Sequence, residues 1–169
     1  AGIDRRPTGP NQRGSAYPGQ MPVRRTLPAP AADAFDLLVD LRRHDALFPA
    51  TRVQGPRGEI QVGARFSAVT AGIVRDRMIL RVLERPSADP APEPGIAVLE
   101  KVGPIFAGFA TITVTPMGPT TCEATWSYDV CLAVGPPWAS RAVMTVVCTG
   151  LAWIALRQAS RALRPSRRP

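Results

Sequence analysis

The run from Trp138 to Leu163 constrains this chain more than any other stretch. Residues 142–156 carry no charge, and at about 100° per residue Val143, Met144, Val147, Leu151 and Ile154 gather on one side of a helix. The other side carries Thr145, Val146, Thr149, Ala152 and Trp153, milder but not plainly solvated. A helix with such a side needs a broad apolar partner, so the preceding residues are expected to form a sheet that receives it. The charge-free run falls short of the roughly 20 residues a bilayer requires, which favours a buried helix over a membrane span.

The chain has 169 residues, enough for one domain with its own core. Its formal charge of +8 suggests nucleic acid until the charge is located. Arg5, Arg6, Arg13, Arg24 and Arg25 precede the expected fold, and Arg157, Arg161, Arg164, Arg167 and Arg168 end it. Residues 26–156 hold 11 basic and 12 acidic side chains, so the body is close to neutral and no nucleic-acid partner is expected. Residues 1–20, rich in Gly, Pro and Arg, read as a disordered basic tail, 21–164 as the folded domain and 165–169 as a second basic tail. Solubilising ends are the preferred reading, with weak contact to an anionic membrane as the other. Pairing with a second copy stays open.

Cys122, Cys131 and Cys148 lack metal-ligand spacing, and the first two, nine residues apart in one expected strand, point to opposite faces. A cytoplasmic location is expected from unpaired cysteines and the lack of an apolar leader. Phosphate loops, metal motifs and nucleophile elbows are missing from the sequence, so neither metal nor cofactor is expected.

The first strand is expected at Met21–Leu27, with Pro30 suited to the first turn of a helix over Asp33–Val39. A second short helix, Leu41–Phe48, should stop at Pro49. Six strands follow, at Thr51–Gln54, Gln61–Thr70, Ile73–Arg85, Gly95–Val102, Gly108–Thr115 and Thr120–Ala133. Gly55–Gly58, Ala71-Gly72 and Met117–Pro119 supply turn chemistry, and Pro86–Pro94 a loop.

Alternation assigns faces. In Ile73–Arg85 the odd positions hold Arg75, Arg77, Arg81 and Arg85, so Val74, Asp76, Met78, Leu80, Val82 and Glu84 should face the core. In the last strand Ala124, Trp126, Tyr128 and Val130 should face inward, with Phe66 and Ala68 beside them. Asp76 and Glu84 are then candidate acid/base groups, about 26 Å apart along the strand and unable to act as a pair. His44, the only histidine, reads as a surface residue of the short helix, and Cys148 as a small hydrophobe on the flank of the long one. The arginine stripe lacks the aromatic residues that would mark a single-strand nucleic-acid platform.

This order of elements resembles the START-like, helix-grip superfamily (SRPBCC), including the polyketide cyclase/dehydrase type. The resemblance rests on Pro-Ala-Pro-Ala-Ala-Asp-Ala-Phe-Asp-Leu-Leu-Val-Asp at 28–40, on Phe48-Pro49, on Val62-Gly63-Ala64-Arg65-Phe66, and on the closing helix. It implies an α+β fold, a curved antiparallel sheet gripping a long C-terminal helix with an internal hydrophobic cavity. That cavity would take an apolar or aromatic small molecule without a cofactor, in a cyclase-like enzyme or a non-catalytic carrier. The expected wall is Phe66, Ala68, Met78, Leu80, Trp126 and Tyr128 from the sheet, with Met144, Val147, Cys148 and Leu151 from the helix. Asp76, Glu84 and Tyr128 are the candidate catalytic groups.

Overall fold

The computed structural model describes residues 22–48, 50–56, 58–87, 91–133 and 137–164, with the backbone alone for 43, 46 and 137–139. Strand β1 (Val23–Leu27) leads into α1 (Ala31–Val39), a single 3-10 turn (Leu41–Arg43) and α2 (His44–Leu47). Then come β2 (Thr51–Gln54), β3 (Arg65–Thr70), β4 (Val74–Glu84), β5 (Gly95–Val102), β6 (Phe106–Gly118), β7 (Thr121–Leu132) and α3 (Pro137–Ala162). The expected tails, Met21 and Pro49 lie outside the described residues.

The seven strands form one antiparallel sheet in the order β1-β7-β6-β5-β4-β3-β2. The meander β2 to β7 pairs each strand with the next, and β1 closes against β7 with Val23 opposite Trp126. Helix α1 starts after Pro30, whose carbonyl accepts from the amide of Ala34 at 3.1 Å. Proline is favoured at a helix start because the lost N–H would be unsatisfied there anyway. The Asp40 carboxylate then accepts from the Arg42 amide, capping the 3-10 turn.

Two expected boundaries move for backbone reasons. Residues 61–64 form a turn rather than the start of β3, although Gly63 N–H still donates to Leu80 C=O at 2.7 Å. Strand β6 runs on past Thr115, and its register with β7 shifts between Pro116 and Gly118. Proline has no N–H to give the ladder, so pairing around it must be irregular.

The inner face of the sheet carries the core: Phe66, Leu80, Leu99, Ile112, Cys122 and Trp126 are all buried, together with Phe35 and Leu38 of α1. Helix α3 rests on β7 and β1. Its buried positions are Ser140, Met144, Cys148, Ala152, Ala155, Leu156, Ala159 and Ser160, mostly small side chains that let the helix come close to the sheet.

That corrects the expected face of α3. Val147 and Leu151 are 46 % and 39 % exposed, and Val143 is more exposed still. The apolar run has no charge to mark its wet side, so periodicity alone placed the bulky residues inward, whereas close packing on the sheet selects the small ones. Glu84 is a second correction. The register between β4 and β5 shifts between Leu80 and Val82, and the extra residue reverses the alternation beyond it. Leu83, opposite buried Ala97, packs on the core in its place, and Glu84 is exposed.

Candidate functional site

Inward-facing residues of neighbouring strands fall into rows across the sheet. One row runs Phe66, Met78, Lys101, Gly108, Val130 from β3 to β7, and the next runs Leu80, Leu99, Ala110, Tyr128. Both rows narrow to small residues on β6, Gly108 and Ala110. Gly108 has φ +122°, and a Cβ there would stand 1.8 Å from the carbonyl oxygen of Asp129. Only glycine fits that approach.

On the same face stands Lys101, the only lysine among 21 basic side chains. Its ammonium pairs with the carboxylate of Asp76 and lies 3.1 Å from the sulfur of Met78. The two charged side chains are only 12 % and 15 % exposed. Alternation along Gly95, Ala97, Leu99 and Lys101 accounts for the inward aim, since the first three are buried. Asp76 sits opposite Ala68 on β3, and its second oxygen, Oδ1, is buried with no hydrogen-bond partner. Orphaned buried acceptors are rare because each forfeits its solvation without replacement.

Further along the inner face the side chains are aromatic. Trp126 and Tyr128 stack with ring centroids 5.9 Å apart and planes at 18°. Phe48 meets Trp126 edge-on at 5.7 Å. Trp126 Nε1 is likewise buried without a hydrogen-bond partner. The Tyr128 phenol is held well above its usual pKa, mainly by burial and further by the thiol of Cys148 and the carboxylate of Asp76. It stays protonated and can donate. Cys148 is pushed up to about 11, again mainly by burial, and is a thiol rather than a nucleophilic thiolate.

Tyr128 also marks a seam. It packs both on the main core and on a separate small cluster of Val130, Met144 and Cys148 with Phe106 and Leu132. Tyr128 thus lies where the apolar interior divides, and Asp76 and Lys101 stand on β4 and β5, beyond the strands β7 and β1 on which α3 rests. A mostly apolar setting with a few polar groups is a common feature of small-molecule sites.

Of the expected site residues, Phe66, Ala68, Met78, Leu80, Trp126, Met144 and Cys148 are buried on this interior, and Tyr128 is half-buried there. Val147, Leu151 and Glu84 are not on it. His44 is buried rather than on the surface: its Nε2–H donates to the Leu38 carbonyl at 2.8 Å, and its ring lies 5.8 Å from Trp126. Burial lowers its pKa to about 4, so it is neutral at physiological pH and serves as packing. Lys101 was not among the expected site residues. Its signal was in the sequence, as the lone lysine at an inward parity of β5.

A groove of about 580 Å³ is lined by the outward-facing Gln54, Arg65, Ser67, Arg77, Ile79 and Val102 together with Gly55, Phe66 and Met78. It is open and mostly apolar, and its lining includes Met78 but neither Lys101 nor Asp76. Among the described residues no three His, Cys, Asp or Glu side chains converge as a metal set.

No protein-family model matches the chain, and no curated protein sequence does. Solved structures do. The Zhui aromatase/cyclase from a Streptomyces species superposes with a TM-score of 0.62 at 15 % identity, over 85 % of this chain and 92 % of that one. Norcoclaurine synthase from Thalictrum flavum, in complex with dopamine and hydroxybenzaldehyde, gives 0.62 at 13 %, over 89 % and 88 %. A START superfamily protein from Mycobacterium smegmatis gives 0.55 at 14 %, over 85 % and 93 %. The chain has the START-like helix-grip fold.

Proposed function

We propose that this START-like protein takes an apolar or aromatic carbonyl compound onto the inner face of its sheet and catalyses a cofactor-independent, cyclase-type reaction there. The observation that carries the reading is the Lys101–Asp76 pair beside Tyr128, with one Asp76 oxygen buried and unpartnered. The neighbours in fold include an aromatase/cyclase and a synthase solved with an aromatic aldehyde, which fits this chemistry.

Closing a ring by carbon–carbon bond formation needs a proton removed beside one carbonyl and charge stabilised on another oxygen. Asp76 Oδ1, buried without a hydrogen-bond partner, takes the proton in this reading. The Lys101 ammonium and the Tyr128 hydroxyl donate to the oxygen on which negative charge develops. Trp126 and Tyr128 offer a flat wall that orients an aromatic or folded chain and excludes water. On this reading Asp76 and Tyr128 keep the roles expected for them, Glu84 has none, and Lys101 is added as a cation.

The test needs no knowledge of the natural substrate. Solvent deuterium exchange beside the carbonyl of an aryl methyl ketone reads proton abstraction directly. The parent should catalyse it, and Asp76→Asn and Lys101→Met should each lower the rate by about 10²-fold while retaining the ketone. Binding without exchange by the parent would replace the enzyme reading with that of a carrier. No binding, together with no effect of Ala68→Trp on an apolar fluorescent probe, would remove the site.

A further inference from the structure

The outward side of α3 is apolar where a soluble helix is ordinarily polar. Val143, Val146, Val147, Leu151 and Trp153 are 39 to 75 % exposed, on the side opposite Met144, Cys148, Ala152 and Ala159, which pack on the sheet. Over the next two turns the same stripe becomes basic, with Arg157, Arg161 and, just past the helix end, Arg164, all exposed. The Arg157 guanidinium lies 5.0 Å from the centre of the Trp153 ring. No aspartate or glutamate occurs anywhere in α3.

Ser140–Ala162 is long and apolar enough to cross a membrane, but its other face is committed to the sheet. A helix so placed can lie on a bilayer and cannot traverse it. Charge decides between a bilayer and a second copy of the chain. A two-fold pair of α3 helices crossing antiparallel at Gly150 would set Arg157 of each against Val143 of the other, with no carboxylate on either helix to meet the arginines. An anionic lipid surface meets both halves of the stripe: acyl chains take the valines, the interfacial region takes Trp153, and phosphates take the arginines.

We propose that the outward face of α3 is a docking surface for an anionic membrane, with Val143, Val146, Val147 and Trp153 seated at the headgroup–acyl boundary and Arg157, Arg161 and Arg164 on lipid phosphates. The contact requires neither basic terminal segment and is independent of the reaction assigned to the interior.

The test is flotation of the full chain with vesicles of phosphatidylcholine, alone or mixed with phosphatidylglycerol, alongside light scattering of the free protein. The parent should float with the mixed vesicles and bind the neutral ones about tenfold more weakly. Val146→Glu, and separately Arg157→Glu with Arg161→Glu, should each weaken binding by about tenfold or more while melting as the parent does, since these side chains are exposed. Failure of the parent to float, or unchanged flotation of Val146→Glu, overturns the proposal. So does a parent dimer that Val146→Glu converts to monomer, which would make a second copy the occupant.

Discussion

Lys101→Met removes the cation from a pair whose side chains are 12 % and 15 % exposed and strands Asp76 against Met78 and Ala68. Breaking a fully buried ion pair costs about 3 to 5 kcal/mol, because the remaining charge keeps its desolvation penalty and loses its partner. The residual exposure here allows some solvent screening, which brings the expected loss to about 2 to 3 kcal/mol. Replacing both, Lys101→Met with Asp76→Leu, exchanges the charges for apolar groups of similar volume, and stability should return to within about 1 kcal/mol of the parent or exceed it. Urea unfolding of the parent, the two single variants and the double variant closes the cycle, provided the denaturant slope is unchanged. A Lys101→Met variant as stable as the parent would show that the pair behaves as a solvated surface contact, and the argument for a desolvated acid/base site would fall with it. A double variant much less stable than either single would instead make the pair a structural element.

Other outcomes follow from the same geometry. His44 has a folded-state pKa of about 4 against an ordinary 6.5, so the unfolded chain binds a proton that the folded chain refuses in that window. Stability should therefore fall by about 3 kcal/mol as pH drops from 6.5 to 4 and level off below, and His44→Gln should lack that slope in melts taken across the range. Leu151→Asp should cost under about 1 kcal/mol, whereas Ala152→Asp, one residue on at a fully buried position, should cost about 3 kcal/mol or more in the same unfolding assay. The reverse order would return α3 to the orientation expected from its sequence. Gly108→Ala must move backbone to clear the Asp129 carbonyl, so a loss of about 3 kcal/mol or failure to fold is expected, and a variant within 1 kcal/mol of the parent would contradict the strand geometry.

The elements and their order were legible because turns and alternation are local. Strand β4 declared its outer face through Arg75 and Arg77, and β7 its inner one through Trp126 and Tyr128. What stayed hidden depended on features without a local signal. A bulge near Arg81 reverses the parity that put Glu84 inside, and nothing in the alternating pattern announces it. The rotation of α3 was illegible because both sides of the helix are apolar, and the choice between Val147 and Cys148 rests on how closely a helix can approach a sheet. His44 looked like a surface residue because Asp40 and Asp45 flank it, yet the short helix turns its ring onto Phe48 and Trp126. Lys101 was legible and overlooked: Glu100-Lys101 reads as a charged strand end until the parity of Ala97 and Leu99 is carried one step further.

The claim that Lys101 and Asp76 face a ligand is tested most directly by a property few proteins offer, a single lysine. Lysine labelled with carbon-13 at Cε alone gives one side-chain carbon signal in the spectrum of the full chain, and its position reports what stands beside the ammonium. Titration with an aromatic ketone should shift that signal in a saturable way, and Ala68→Trp should abolish the shift. A Lys101 signal that stays unmoved while the ketone binds elsewhere on the protein would contradict the site.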